Sequence, residues 1–216
     1  NEGIRYVVVY WIPFLTYKKQ KMQPFITKCC IFNFLFVIIH LNYKNYDWRI
    51  FMITEPIKDN KELQAFLNFY ADKKPNLRNH CLIVFGLNTA LRISDILNIK
   101  WNMIYDFENK KFIKRLTISE HKTGKINIIP INDNLSIALQ KFFSKQNPQY
   151  NDYIFTKSTD HTRPLSRTQA YRIIKTSADK CNITGNISCH SLRKTFGFFA
   201  WKQGTQPALL MAIYNH

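Results

Sequence analysis

From residue 52 onward, apolar positions recur mostly at helical spacing, and one stretch changes to simple alternation. Leu63, Phe66, Leu67 and Tyr70 share a helix face whose start is marked by Asp59, with the acidic Glu62 three residues on. Pro75-Asn76 breaks that helix, and the strongly apolar run Leu77–Leu87 predicts a second, central one. Gly86 to Thr89 reads as an interruption, after which Ser94 or Asp95 caps a helix holding Ile96 and Leu97. Between Lys114 and Ile131 the period becomes two. Leu116 and Ile118 share one face, Ile126 and Ile128 share one on the next segment, and the Gly-containing turn His121-Lys122-Thr123-Gly124 joins them as a β-hairpin. Helical spacing then returns. Asn132–Asn134 cap a helix carrying Leu135, Leu139, Phe142 and Phe143, and Tyr153–Thr156 reads as a short connecting strand. Ser166 caps a helix with Ala170, Ile173, Ile174 and Ala178 inward and Arg167, Arg172 and Lys175 outward. His190–Trp201 and, after Gly204 and Pro207, Ala208–Tyr214 are the last helices. The pattern predicts an α+β body, mainly α-helical, with a small antiparallel sheet near its middle.

Residues 1–51 follow neither period. They are crowded with Phe, Ile, Tyr, Lys and Asn, and only Tyr6–Trp11 (a strand) and Ile31–Leu41 (a buried helix or strand) suggest elements. Two readings stand: a native N-terminal segment, or upstream translation ahead of a natural start at Met52. The domain expectation is therefore an N-terminal segment 1–51 and a main body 52–216. The apolar run Cys29–Leu41 is broken by Asn33 and His40, and falls short of the about 20 residues a membrane span needs. It also lacks the position and cleavage site of a secretory signal.

Charge narrows the choice of partner. The chain has 31 Lys and Arg against 14 Asp and Glu, a formal net charge of +17. Residues 1–51 hold seven of the basic and two of the acidic residues, which leaves 24 and 12 for the body, a net +12. So basic a body calls for an anionic partner, with nucleic acid ahead of an anionic membrane surface. The five cysteines (Cys29, Cys30, Cys81, Cys181, Cys189) form no C-x-x-C pair and no zinc spacing, which points to free thiols in a reducing, cytoplasmic setting.

Four short boxes carry the chemistry: Ala90-Leu91-Arg92-Ile93-Ser94-Asp95-Ile96-Leu97, His121-Lys122-Thr123-Gly124-Lys125, Ile187-Ser188-Cys189-His190-Ser191-Leu192-Arg193-Lys194-Thr195-Phe196, and the closing Ile213-Tyr214-Asn215-His216. His190 and Arg193, three apart on one helix, are neighbours that can address the same small anion. In this order the boxes resemble the tyrosine recombinases of the phage integrase type, from about Met52 to the last residue. The resemblance implies the catalytic-domain fold of the DNA breaking-rejoining enzymes. It also implies site-specific DNA recombination or integration through a 3′-phosphotyrosine, without metal or other cofactor, by a bacterial or phage-derived protein that assembles on double-stranded DNA as a tetrameric synapse.

Each box then has an expected role. Two guanidiniums, Arg92 and Arg193, suit the non-bridging oxygens of a scissile phosphate, since each is planar and permanently charged. Asp95, three residues after Arg92, either pairs with it as an ordinary ion pair or, as the resemblance implies, holds it in place. Lys122 in the hairpin turn is the general acid for the leaving 5′ oxygen, its pKa lowered between two arginines. His190 orients the phosphate or assists proton transfer, and His216 hydrogen-bonds a non-bridging oxygen. Lys125, Arg167, Arg172 and Lys194 are the candidates for holding the DNA backbone. In the family pattern the attacking tyrosine follows the last His by about nine residues, so no nucleophile is expected within the chain. Tyr214 precedes His216, and Tyr171 lies outside any box. The catalytic domain is thus expected to be incomplete at its C terminus. A different class of function competes with strand exchange: a basic, non-catalytic DNA-binding accessory or regulatory module.

Overall fold

The computed structural model describes residues 53–119, 124, 126–157 and 160–214. The chain divides into Asn1–Phe51 and Met52–His216, and every described residue belongs to the second unit. The elements expected at Tyr6–Trp11 and Ile31–Leu41 lie outside the described residues.

Local capping sets most helix starts. Helix α1, Asn60–Asn68, begins where the Asp59 carboxylate accepts from the backbone N–H of Lys61 and Glu62. It widens into one π turn, Phe69–Lys73, before Pro75 ends it. The Asn76 side chain caps α2, Leu77–Thr89, by accepting from the N–H of Asn79. Here the structure corrects an expectation: α2 runs through Gly86 without a break and stops only where Ala90 turns left-handed at φ 54°. Gly86 is a notch. A Cβ there would overlap Leu192 Cδ1 of helix α6 (Cys189–Lys202), so the missing side chain lets two core helices meet. Gly86→Ala should gain about 1 kcal/mol in helix propensity and lose about 1–3 kcal/mol to overpacking. A net loss of about 1–2 kcal/mol in denaturant unfolding is expected, and a stabilised protein would show that Leu192 yields freely.

The next start is also corrected. Helix α3, Ile93–Leu97, has Arg92 as its N-cap and no side-chain cap, so neither Ser94 nor Asp95 plays that part. A 3₁₀ turn, Trp101–Met103, leads into the short strands β1 (Tyr105–Asp106) and β2 (Lys111–Phe112). The expected hairpin follows as β3, Arg115–Ser119, paired antiparallel with β4, Ile126–Pro130, Leu116 facing Ile129 and Ile118 facing Asn127. Ile126 and Ile128 do share a face, but it is the open one, 71% and 65% exposed, while Ile129 turns inward with Leu116 and Ile118.

Asn132 caps α4, Asp133–Gln146, and Ser166 makes a reciprocal capping box with Gln169 at the start of α5, Arg167–Lys180. Between them Tyr153 makes only an isolated bridge with Lys100. Thr156–Lys157 (β5) pairs antiparallel with a strand the sequence pattern did not reveal, Asp160–Pro164 (β6). The last helix is α7, Pro207–Tyr214.

The core forms around α2, which packs against both α4 and α6. Cys81, Leu82, Ile83 and Phe85 of α2 are fully buried among Phe66, Trp101, Leu135, Leu139, Phe155 and Ile174. The architecture is the expected one: mainly helical, with small two-stranded antiparallel sheets. No helix among the described residues is long and apolar enough to cross a membrane.

Candidate active site

Two elements of the site hang from one helix–helix contact. Arg193 follows Leu192, whose side chain fills the notch at Gly86, and Arg92 lies two residues beyond the left-handed Ala90 that ends the same helix. The sequence sets these arginines far apart; the direct packing of α6 on α2 brings their elements together. Arg92 is extended at φ −72° and ψ 147°, and its carbonyl accepts from the N–H of Asp95 at 2.9 Å and of Ile96 at 3.1 Å. Asp95 is buried in that first turn, 2% exposed, which is costly for a carboxylate and marks it as an anchored group rather than a solvated one.

The start of α6 is built by a second capping box. Ser188 Oγ accepts from the backbone N–H of His190, and the Ser188 N–H donates to Ser191 Oγ at 3.0 Å. This arrangement leaves His190 on the exposed side of the first turn and turns Arg193 inward, 4% exposed. An extended strip ahead of α1 braces the helix from outside. The Ile57 N–H donates to Thr195 Oγ1 at 2.9 Å, and Lys194 Nζ donates to the Thr54 carbonyl at 2.5 Å. Lys194 is therefore engaged within the protein, whereas Arg167 and Arg172 are exposed on α5. Arg172 shares a cleft of about 220 Å³ with Lys74, Asn76, Asn79 and Thr176. Neighbouring Arg78 is part-buried: its Nη1 donates to the Thr156 carbonyl at 2.7 Å, and burial lowers its pKa.

The hairpin is in place, with Gly124 left-handed at φ 65° and its carbonyl accepting from Ser119 Oγ at 3.3 Å. Lys122 and Lys125 in that turn, and His216 after α7, lie outside the described residues. Burial pushes the Cys189 thiol up to about 11 and pushes Cys81 up as well, so both stay protonated at neutral pH.

One feature of the site escaped the sequence reading. Tyr214 Oη donates to the carbonyl of Arg193 at 2.7 Å, and Arg193 Nη2 donates to the carbonyl of Tyr214 at 2.8 Å. The guanidinium carbon lies 4.6 Å from the Tyr214 ring centroid. Burial raises the phenol pKa, against the opposing pull of Arg193, so the hydroxyl remains a donor at neutral pH. The available signal was Gly197, a glycine in mid-helix, which costs helix stability and so points to close packing. A Cβ at 197 would overlap Tyr214 Oη.

With that geometry in view, comparison with known proteins is specific. The sequence model of the phage integrase family matches residues 58–216. The chain is 35% identical over 164 residues to the probable integrase/recombinase YoeC of Bacillus subtilis (strain 168), covering 76% of this chain and 84% of that protein. It is 25% identical over 162 residues to the tyrosine recombinase XerD of Halalkalibacterium halodurans, covering 72% of this chain and 52% of the relative, about half its length. Among solved structures, the lambda integrase catalytic core matches with a TM-score of 0.59 at 16% identity, over 76% of this chain and 92% of that one. The Tn1549 transposon integrase in complex with circular intermediate DNA matches at 0.54 and 23% identity, over 74% and 57%. At these identities the structural likeness is one of fold.

Proposed function

Because the chain belongs to the phage integrase family, we propose that it takes part in site-specific recombination of double-stranded DNA by metal-independent transesterification through a 3′-phosphotyrosine. What supports this reading is the packing of α6 on α2, which sets Arg193 and the Arg92 turn on adjoining elements, from which two guanidiniums would grip one phosphate. Asp95 anchors the Arg92 turn, and His190, on the same first turns of α6 as Arg193, orients the phosphate or relays the proton. Lys122 protonates the leaving 5′ oxygen, and His216 adds a donor to a non-bridging oxygen. Lys125, Arg167 and Arg172 hold the DNA backbone as protomers assemble on it, and Lys194 braces α6 through Thr54.

Four of the six described tyrosines are engaged within the fold, and neither Tyr150 nor Tyr171 lies in any of the four boxes. Tyr214 has its hydroxyl committed to the Arg193 carbonyl, and Tyr70 is buried with its hydroxyl on the Ile173 carbonyl. Tyr105 is packed among Phe107, Phe112 and Phe143, and Tyr153 faces Lys100. Arginines and a lysine stabilise charge and supply a proton; attack on phosphorus needs a nucleophile held in line. The expected result with a nicked suicide substrate is DNA binding by the 216-residue polypeptide with no covalent adduct. The polypeptide extended through the next downstream tyrosine of its reading frame should give a shifted band on a denaturing gel. An adduct mapping to Tyr214 would overturn the assignment of roles. Absence of an adduct from the extended protein would instead favour the non-catalytic DNA-binding module.

A further inference from the structure

We propose that Tyr214 is the positioning residue for Arg193, and that Gly197 is the notch that admits it. This rests on the reading of Arg193 as a phosphate-binding arginine. An arginine side chain has several rotatable bonds, and a phosphate gains from it only what remains after those are frozen. Tyr214 freezes them from three directions. Its carbonyl takes one guanidinium N–H of Nη2, its ring centroid lies 4.6 Å from the guanidinium carbon, and its hydroxyl ties the ring back to the backbone of Arg193 itself. The two residues thus hold each other across 21 positions of sequence, and the α6–α7 junction closes on this contact.

The fit depends on residue 197 having no side chain. A Cβ there would overlap the phenol oxygen and approach Cζ and Cε2 of the ring to 3.1 and 3.2 Å. Removing only the hydroxyl relieves the overlap and leaves a tight contact in which the ring must shift by a few tenths of an ångström. Gly197 and Tyr214 are therefore matched: alanine at 197 fits phenylalanine at 214 better than it fits tyrosine. The ring and the carbonyl still serve the guanidinium in that pair.

The test is the affinity of the full 216-residue chain for a fluorescein-labelled random-sequence duplex, read by anisotropy, because every backbone phosphate is the same ligand to a guanidinium. Arg193→Ala should weaken binding about tenfold, the usual effect of losing a hydrogen-bonded charge. Tyr214→Leu should weaken it several-fold in the otherwise unaltered protein and have no further effect in the Arg193→Ala background. A merely structural tyrosine would cost the same in both. Gly197→Ala should weaken binding several-fold, and Gly197→Ala with Tyr214→Phe should recover most of the loss. If Arg193→Ala leaves affinity unchanged, the phosphate-binding reading of Arg193 fails and the positioning role fails with it. If Arg193→Ala weakens binding but Tyr214→Leu costs equally in both backgrounds, only the positioning role is overturned. Should Tyr214→Leu not fold, the Gly197 pair decides, and no recovery by Tyr214→Phe overturns the notch.

Discussion

Raising the salt from about 50 to about 200 mM is expected to weaken duplex-DNA binding by about three orders of magnitude. The driving force is release of counterions condensed on the phosphates, and each phosphate neutralised adds about 0.9 to the slope of log affinity against log salt. On the proposed reading, Arg92, Lys122, Lys125, Arg167, Arg172 and Arg193 would supply six such contacts on a body with a net charge of +12, enough for a drop of that size. Individual substitutions separate the roles. Arg172→Gln, on the exposed face of α5, should lower the slope by about one without changing stability. Lys194→Gln should leave the slope nearly unchanged and lower the unfolding midpoint, because its ammonium already serves the Thr54 carbonyl. Anisotropy across a salt series measures the slope directly. A flat dependence would remove nucleic acid as the partner.

The largest effect on stability is expected at Trp101. Its side chain is 0% exposed and lies against Phe142 and Phe143, with ring centroids 5.8 and 5.2 Å away. It anchors the segment that begins at Arg92, since Ile96, Leu97, Ile99, Trp101 and Ile104 all enter the same core. Trp101→Ala should cost about 3–5 kcal/mol and lower Tm by on the order of 10 °C. Trp101→Phe should cost far less than its loss of volume suggests. The buried indole N–H has no hydrogen-bond partner among the described residues, and such a group costs about 1–3 kcal/mol, which phenylalanine removes along with the ring atoms. Thermal and denaturant unfolding of both variants give the comparison. A loss for Phe in proportion to the volume it removes would mean that the indole N–H is satisfied and that volume alone matters.

How much of this was written in the chain depended on the range of the interaction concerned. Helix starts at Asp59, Asn132 and Ser166 were legible because each is decided within three or four residues by a side chain reaching the next free N–H. The hairpin was legible for a similar reason, as its alternation and its glycine sit within one short segment. The four boxes were legible as a set, since their order along the chain survives even where no contact can be read. What tertiary structure decided were matters of surface against surface. Gly86 reads locally as a breaker, but Leu192 comes to occupy the space it leaves, and the helix continues. Ile126 and Ile128 read as sharing one face, but which way it points was decided by the register, in which Leu116 and Ile118 lie opposite Ile129 and Asn127 and the two isoleucines turn outward. β6 has no apolar alternation, because its sequence Asp160-His161-Thr162-Arg163-Pro164 is held by pairing with β5 rather than by burial. Tyr214 looked like a misplaced nucleophile. Only the return of α7 onto α6 places its hydroxyl on the Arg193 carbonyl, and a contact spanning 21 residues has no local signature beyond the glycine that makes room for it.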